Sequence, residues 1–355
     1  MTPGGTVPGL IALFGSGETT ASGGRIFEAL ARDLQSPLRA AFLETPAGFE
    51  LNSPLVIGRV ADYFRHRLQN YAPEVRIVAA RKKGTAFSPD DWEIIRPLLD
   101  ANLIFLGPGS PTYAVRQLED SLAWQAVLAR HRLGTALGFA SAAAIAAGIL
   151  ALPVYEIYKA GEDPHWKKGL NLLGPFGLSL VFVPHWNNAE GGPELDTSRC
   201  FMGESRFEAL RRSIPPNISV VGIDENTGLV IDLARGSCRA LGNGGVSVQK
   251  EGAEVRLLPG KSFPLQVLGE TGSPDLKAGI SAPIWEAIEN AQAQGAQPPP
   301  VPAEVQSLLL ERDEARKRSE WELADRLRAR ILALGWVVSD TPQGSHLEPL
   351  EPKGP

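Results

Sequence analysis

Short, uninterrupted apolar runs recur through the first half of the chain, each closed by glycine, proline or a polar turn. Residues 10–14 form the first, followed at once by Gly15-Ser-Gly-Glu18. Residues 40–43 run into Glu44-Thr-Pro-Ala-Gly48, further runs fall within 102–106 and 134–140, and 75–79 reads as a strand that carries Arg76. Runs of strand length without alternation are the pattern of strands covered on both faces. The intervening stretches predict helices over 54–69, from Asp90-Asp91 to near Asp100, and over 113–118. Strands alternating with helices imply an α/β fold with a doubly wound, mostly parallel sheet in a flavodoxin-like three-layer arrangement. Ligands of such sheets collect at the carboxyl ends of the strands. That rule singles out the loops after Phe14, Leu43, Leu106 and Ala140.

The later pattern is more varied. Residues 178–183 read as a strand ending in Pro184-His-Trp-Asn-Asn188, and 219–223 as one ending in Asp224-Glu-Asn-Thr227. Residues 228–233 read as an antiparallel strand. Residues 240–248 and 254–258 predict a small β-meander that closes the domain near Phe263. From Gly269 glycine, serine and proline become frequent, with a short helix at 283–292 and a stiff extended linker at 297–302. Residues 303–334 are charged and helical, broken near Arg318-Ser-Glu, with an apolar stripe of Leu308, Leu309, Ala315, Ala324, Leu327 and Ile331. Two helices of this size bury little and need a partner surface. The predicted organisation is an α/β domain over 1–268, a Pro/Gly-rich linker over 269–302, a helical hairpin over 303–344 and a loose tail over 345–355.

Within this pattern one polar side chain stands out. Ser141 follows the strand 134–140 and precedes a run of small helix formers ending at Gly148. A serine at a sharp strand–helix turn exposes its hydroxyl beside free backbone N–H groups. Read alone, it is either a nucleophile or a small buried filler. The Gly15-Ser-Gly-Glu18 loop has half of a dinucleotide fingerprint, without the third glycine and the acidic partner, and reads first as a tight turn. Gly107-Pro-Gly-Ser-Pro-Thr112, placed before a helix, lets backbone N–H groups approach a ligand, as half of an oxyanion hole would require.

Composition narrows the classes. The 355 residues are 43% hydrophobic and 21% charged, with a formal net charge of −5. This is an ordinary globular profile, and it argues against a general nucleic-acid binder. The two cysteines, Cys200 and Cys238, sit in no Cys/His grouping, so a structural zinc site is not expected. Two thiols suit a reducing compartment, and no stretch reads as a secretory signal or a membrane span. The expectation is a cytoplasmic protein without a membrane partner. A homodimer is one assembly the reading allows.

Three residues at strand ends have compatible chemistry: Ser141 as nucleophile, His185 as general base, and Glu225 as the carboxylate that orients the imidazole. No cofactor and no metal is called for. These residues also carry a resemblance. Phe139-Ala-Ser141-Ala-Ala-Ala144, Val183-Pro-His185, Gly222-Ile-Asp-Glu225-Asn-Thr-Gly-Leu229 and Gly107-Pro-Gly109-Ser110 resemble the cyanophycinase and aspartyl dipeptidase family of serine peptidases over about residues 10–263. The resemblance implies a class I glutamine amidotransferase-like fold, with Ser141, His185 and Glu225 as triad and the N–H groups of Gly109 and Ala142 as oxyanion donors. It implies a small peptide or amide as substrate, with acidic residues or a β-linked aspartyl-arginine at the scissile bond. Arg199 and Arg206 would be carboxylate partners, and Glu156, Lys159, His165 and Asn187 candidate lining residues. The departures are Phe139 and Ala143. An elbow wants the smallest residues two positions either side of its nucleophile. The alternative is a catalytically inactive binding protein on the same fold.

The C-terminal part resembles another family. Leu310-Glu-Arg-Asp-Glu-Ala-Arg316, Trp321-Glu-Leu-Ala-Asp325-Arg-Leu-Arg328 and Leu334-Gly-Trp-Val-Val-Ser-Asp340 look like the helical tail of cysteinyl-tRNA synthetases. No synthetase active-site motif accompanies them, so the chain is not expected to be a synthetase. The resemblance implies tRNA or a protein as the tail's partner. Arg312, Arg316, Lys317, Arg318, Arg326, Arg328 and Arg330 give it a basic character. That character could meet RNA phosphates, but the interleaved acids read first as a solvated helix face.

Overall fold

The computed structural model describes residues 7–272, 275–295, 301–341 and 344–349. The chain divides into two compact units, Met1–Glu289 and Asn290–Pro355. The first opens with β1 (Ile11–Phe14), α1 (Ala21–Ala31), β2 (Arg39–Leu43), α2 (Ser53–Arg67), β3 (Glu74–Val78), α3 (Trp92–Ile95) and β4 (Leu103–Leu106). It continues with α4 (Pro111–Leu118), α5 (Leu122–Arg132), β5 (Ala136–Ala140), α6 (Ala142–Ala147), β6 (Leu150–Ala151), α7 (Val154–Tyr158), β7 (Lys167–Lys168), β8 (Leu180–Val183) and α8 (Gly203–Arg212). It closes with β9 (Ser219–Ile223), β10 (Thr227–Asp232), β11 (Ser237–Gly242), β12 (Val246–Lys250), β13 (Ala253–Leu257), β14 (Ser262–Pro264) and the first part of α9 (Ala282–Gly295), which runs past the division at Glu289.

Eight strands form the central sheet in the order β14-β11-β10-β1-β5-β4-β2-β3. The five from β1 to β3 are mutually parallel, and β10, β11 and β14 add an antiparallel edge. Alternate residues of each parallel strand feed opposite cores. Ile11 and Leu13 face one with Trp124 and Phe139; Ala12 and Phe14 face the other with Phe27, Phe64 and Phe105. Burial on both faces explains the unbroken apolar runs. Under α1 and α2, edge-on and tilted pairs among Phe14, Phe27, Phe42, Phe64 and Phe105 lie 5.1 to 5.8 Å apart between ring centroids. Such pairs contribute about 0.5–1.5 kcal/mol each beyond area burial.

Three expectations are corrected. The strands β8 and β9 belong not to the central sheet but to a second one, ordered β13-β12-β9-β8. An apolar strand is compatible with either sheet, because β8 and β9 are buried on both faces just as β1 and β5 are. The span 240–248 is also not one strand of a meander. It breaks into β11, in the central sheet, and β12, in the second. The break is at Gly242-Asn-Gly-Gly245, where Gly242 has φ 120° and a side chain on Gly244 would strike the Asp224 side chain at 2.6 Å. The helix expected up to Asp100 is shorter: α3 gives way to a 3₁₀ turn at Arg96–Leu98 that contains Pro97.

In the second unit, α10 (Ala303–Lys317) and α11 (Trp321–Ala333) are followed by β15 (Trp336–Thr341) and β16 (Gly344–Pro349), which pair antiparallel. Ser319, between the helices, takes φ 61°. Val305, Leu308, Leu327, Ile331, Trp336 and Val338 make a small core. The expectation of a loose tail over 345–355 is therefore corrected for 345–349, where backbone pairing with β15 supplies order that the polar composition hides. Residues 350–355, and 297–300 of the expected linker, lie outside the described residues.

Candidate active site

Ser141 is the single residue between β5 and α6. Its backbone has φ 50° and ψ −110°, its N–H donates to the Phe14 carbonyl (3.2 Å), and its carbonyl accepts from Ile145 N–H (3.1 Å). An L-residue there stores about 1–3 kcal/mol of strain. All six residues of α6 are buried, which explains its nearly pure alanine sequence. Phe139 and Ala143, the two departures from an ideal elbow, are both buried in the central core, Phe139 with its ring centroid 6.3 Å from that of Trp124. The bulk of Phe139 is directed into the core.

The other two residues come from the second sheet. His185, after β8, has φ 51°; its N–H donates to Gly15 O (3.2 Å), and its carbonyl accepts from Asn188 and Cys200 N–H (both 3.1 Å). Glu225 follows β9 by two residues, and its N–H donates to Asn187 Oδ1 (2.8 Å). The side chains meet across the sheets. Ser141 Oγ lies 3.0 Å from His185 Nε2, and His185 Nδ1 lies 2.8 Å from Glu225 Oε1. A carboxylate at Nδ1 selects the tautomer with hydrogen there, leaving Nε2 to accept from the serine hydroxyl. Burial pushes the Glu225 carboxyl up, but hydrogen bonds from His185 and Asn188 outweigh it and hold the group below its ordinary range.

The Gly15-Ser-Gly-Glu18 loop buttresses this arrangement. Gly15 donates to Thr227 O (2.8 Å) and accepts from His185, and Ser16 Oγ accepts from Asn226 N–H (3.2 Å). A side chain on Gly15 would fall 2.0 Å from Asp224 O, so the half fingerprint reflects close backbone approach.

A cavity of about 300 Å³ opens over the serine. Gly109, Ser141, Ala142, His185 and Lys159 line it, together with Tyr155, Tyr158, Glu190, Cys200 and Phe201. Gly109 has φ 145°, and a Cβ there would lie 2.0 Å from Pro46 O, so glycine is required. The N–H groups of Gly109 and Ala142 have no backbone partner among the described residues. Burial, and then the Glu225 charge, push the Cys200 thiol up to about 12, so it stays protonated and is no rival nucleophile. Cys200 and Cys238 are both free thiols.

Of the six candidate substrate-binding residues, Lys159 is on the cavity wall. Asn187 instead holds the Glu225 backbone. Glu156 faces Lys167 at 3.5 Å, and His165 is half-buried, with Nδ1 2.9 Å from Asp163 O. Arg199 lies over the Trp186 ring at 4.0 Å, donates to Trp186 O (3.2 Å) and pairs with Glu204 (3.0 Å). Arg206 sits on α8, outside the cavity lining. Sequence reasoning misses the run Arg199, Cys200, Phe201, all left-handed at φ 56°, 59° and 69°, which carries two wall residues. None is glycine or asparagine, so the sequence has no signal for it. It also misses Asn188, buried beside Asn187, whose Nδ2 donates to Glu225 Oε1 at 2.9 Å. The paired asparagines after His185 were the available clue.

In the second unit Arg312 is not a free basic residue. It is 3% exposed and donates twice to Asp340 (2.8 and 3.0 Å). Arg316 also pairs with Asp340, Lys317 with Glu314 and Arg330 with Glu304. Arg318, Arg326 and Arg328 are exposed and make no ion pair among the described residues.

Comparison with known proteins separates along the same division. A crystal structure of a peptidase from an acI-B1 Actinobacterium superposes with a TM-score of 0.59 at 20% identity, covering 73% of this chain and 98% of that one. The likeness shows a shared fold. Residues 298–346 match the cysteinyl-tRNA ligase anticodon binding domain. A 50-residue stretch is 46% identical to the cysteine–tRNA ligase of Chlamydia pneumoniae, covering 14% of this chain and 10% of the ligase. A 47-residue stretch is 49% identical to cysteine–tRNA ligase 1 of Burkholderia lata, covering 13% and 10%. The chain spans about a tenth of the length of these curated relatives. No helix among the described residues is long and apolar enough to cross a membrane.

Proposed function

We propose that the first unit is a serine hydrolase, a peptidase or amidase acting on a small peptide, on a class I glutamine amidotransferase-like frame of the cyanophycinase and aspartyl dipeptidase type. The observation that carries this reading is the continuous relay from Ser141 Oγ through His185 to Glu225, at 3.0 and 2.8 Å, with the serine on a strained turn at the cavity floor. An inactive binding protein has no need to hold the serine in this conformation or the imidazole in line with it.

In the proposed reaction Ser141 Oγ attacks the scissile carbonyl carbon while His185 Nε2 takes its proton. Glu225 stabilises the resulting imidazolium. The oxygen that gains the negative charge is received by the N–H groups of Gly109 and Ala142. Collapse expels the amine, which takes the proton from His185, and leaves an acyl ester on Ser141. Water, deprotonated by the same imidazole, releases the acid and restores the serine. Lys159 and Glu190 on the cavity wall supply one charge of each sign for the termini or side chains of a small peptide. A dipeptide library, assayed for released amine, tests the reading. Wild type releases amine from some members and Ser141→Ala from none; equal activity of the two proteins rejects it.

The match over residues 298–346 favours an additional role, contact with tRNA through the second unit. Among the described residues, Arg318, Arg326 and Arg328 are exposed cations without an ion pair, available for phosphate contact. Binding should weaken with salt and be lost on truncation at Pro300; salt-independent binding, or binding by the truncated chain, rejects this role.

A further inference from the structure

Glu225 is held from two directions. Oε1 accepts from His185 Nδ1 (2.8 Å) and from Asn188 Nδ2 (2.9 Å). The terminal torsion of a carboxylate is broad, so one donor leaves its plane free to turn and a second, from a fixed direction, stops it. Asn188 is such a donor. It is 3% exposed, and its own N–H donates to the His185 carbonyl (3.1 Å). Its remaining polar atom, Oδ1, accepts from the N–H of Glu190 (3.2 Å), a cavity-wall residue. One buried residue therefore touches the acid and the backbone of the wall through its side-chain amide, and the backbone of the base through its own N–H.

We infer that Asn188 is a fourth, positioning member of the relay, its amide N–H fixing the Glu225 carboxylate against His185 and its amide oxygen tying that arrangement to the Glu190 wall. The inference rests on the serine hydrolase reading. Asn188 touches no reacting atom; it acts through Glu225.

Asn188→Asp separates this role from a merely structural one. Aspartate keeps the volume and the oxygen that caps the Glu190 turn, which asparagine and aspartate serve equally well. It replaces the donor facing Glu225 by a negative oxygen. With a fluorophosphonate probe, wild type is labelled at Ser141, and Asn188→Asp is labelled at least tenfold more slowly while its melting transition stays cooperative. The loss is the size expected when a hydrogen bond to a charged group is removed. Labelling of Asn188→Asp at the wild-type rate overturns the inference. Should Asn188→Asp fail to fold, Asn188→Ala is read by proton NMR of the His185 Nδ1–H. Its downfield signal broadens into solvent exchange if Asn188 fixes the acid, and unchanged persistence overturns the inference. Failure of wild type to label rejects the hydrolase reading instead, and the NMR comparison still decides the role of Asn188.

Discussion

The strain at Ser141 makes a quantitative prediction that is independent of substrate. Both Ser141→Ala and Ser141→Gly remove the 3.0 Å hydrogen bond to His185. Only alanine keeps a Cβ on a backbone at φ 50°, ψ −110°. Relief of that strain favours glycine by about 1–3 kcal/mol. Glycine's larger loss of chain freedom on folding offsets about 0.5–1 kcal/mol. The net is a Ser141→Gly protein about 1 kcal/mol more stable than Ser141→Ala, or roughly 2–4 °C in melting temperature for a domain of this size. Differential scanning calorimetry of the two full-length variants in one buffer reads the difference directly. Because each lacks the hydroxyl, differences in side-chain hydrogen bonding cancel. A glycine variant no more stable than the alanine variant would refute the strained-elbow argument.

Three further expectations follow from other parts of the structure. His131 is buried, with Nε2 3.0 Å from Gly9 O, and burial lowers its pKa from 6.5 to about 4. The unfolded chain therefore takes up that proton first. Stability is full above about pH 6.5 and falls by about 3 kcal/mol as pH drops toward 4; chemical denaturation of wild type and His131→Asn across this window checks it, the variant showing the flatter slope. Gly109→Ala places a Cβ against Pro46 O at a φ of 145°, so probe labelling should fall by about 10²–10³-fold with the lost oxyanion donor. In the second unit, Asp340→Asn leaves the buried Arg312 guanidinium underpaired and should cost about 1–3 kcal/mol, read as an earlier melting of that unit, whereas Arg326→Ala should leave it unchanged.

Much of the central sheet is legible because burial on both faces writes itself as unbroken apolar runs. What periodicity does not reveal is sheet membership. The runs of β8 and β9 look like those of β1 and β5, yet they belong to the second sheet, and His185 and Glu225 reach Ser141 from there. The three residues were identifiable singly, each as a reactive side chain at a strand end. The backbone that brings them together was not: Ser141, His185 and the run Arg199 to Phe201 occupy left-handed conformations without glycine, where tertiary packing overrides local preference. Charge misled in two places. Arg199 and Arg312 look like ligand cations in the sequence, and both are struts, one over Trp186 and the other clasping Asp340. Asn188 shows the reverse: a neutral side chain that composition ignores sits on the acid of the relay.

The central claim is that Ser141 is a nucleophile activated by His185. The most direct measurement is intact-mass and peptide mapping after incubation with a fluorophosphonate. The account predicts a single stoichiometric adduct on the peptide containing Ser141, absent from Ser141→Ala and strongly slowed in His185→Gln. An adduct elsewhere, equal labelling of Ser141→Ala, or no adduct on folded wild-type protein would contradict it.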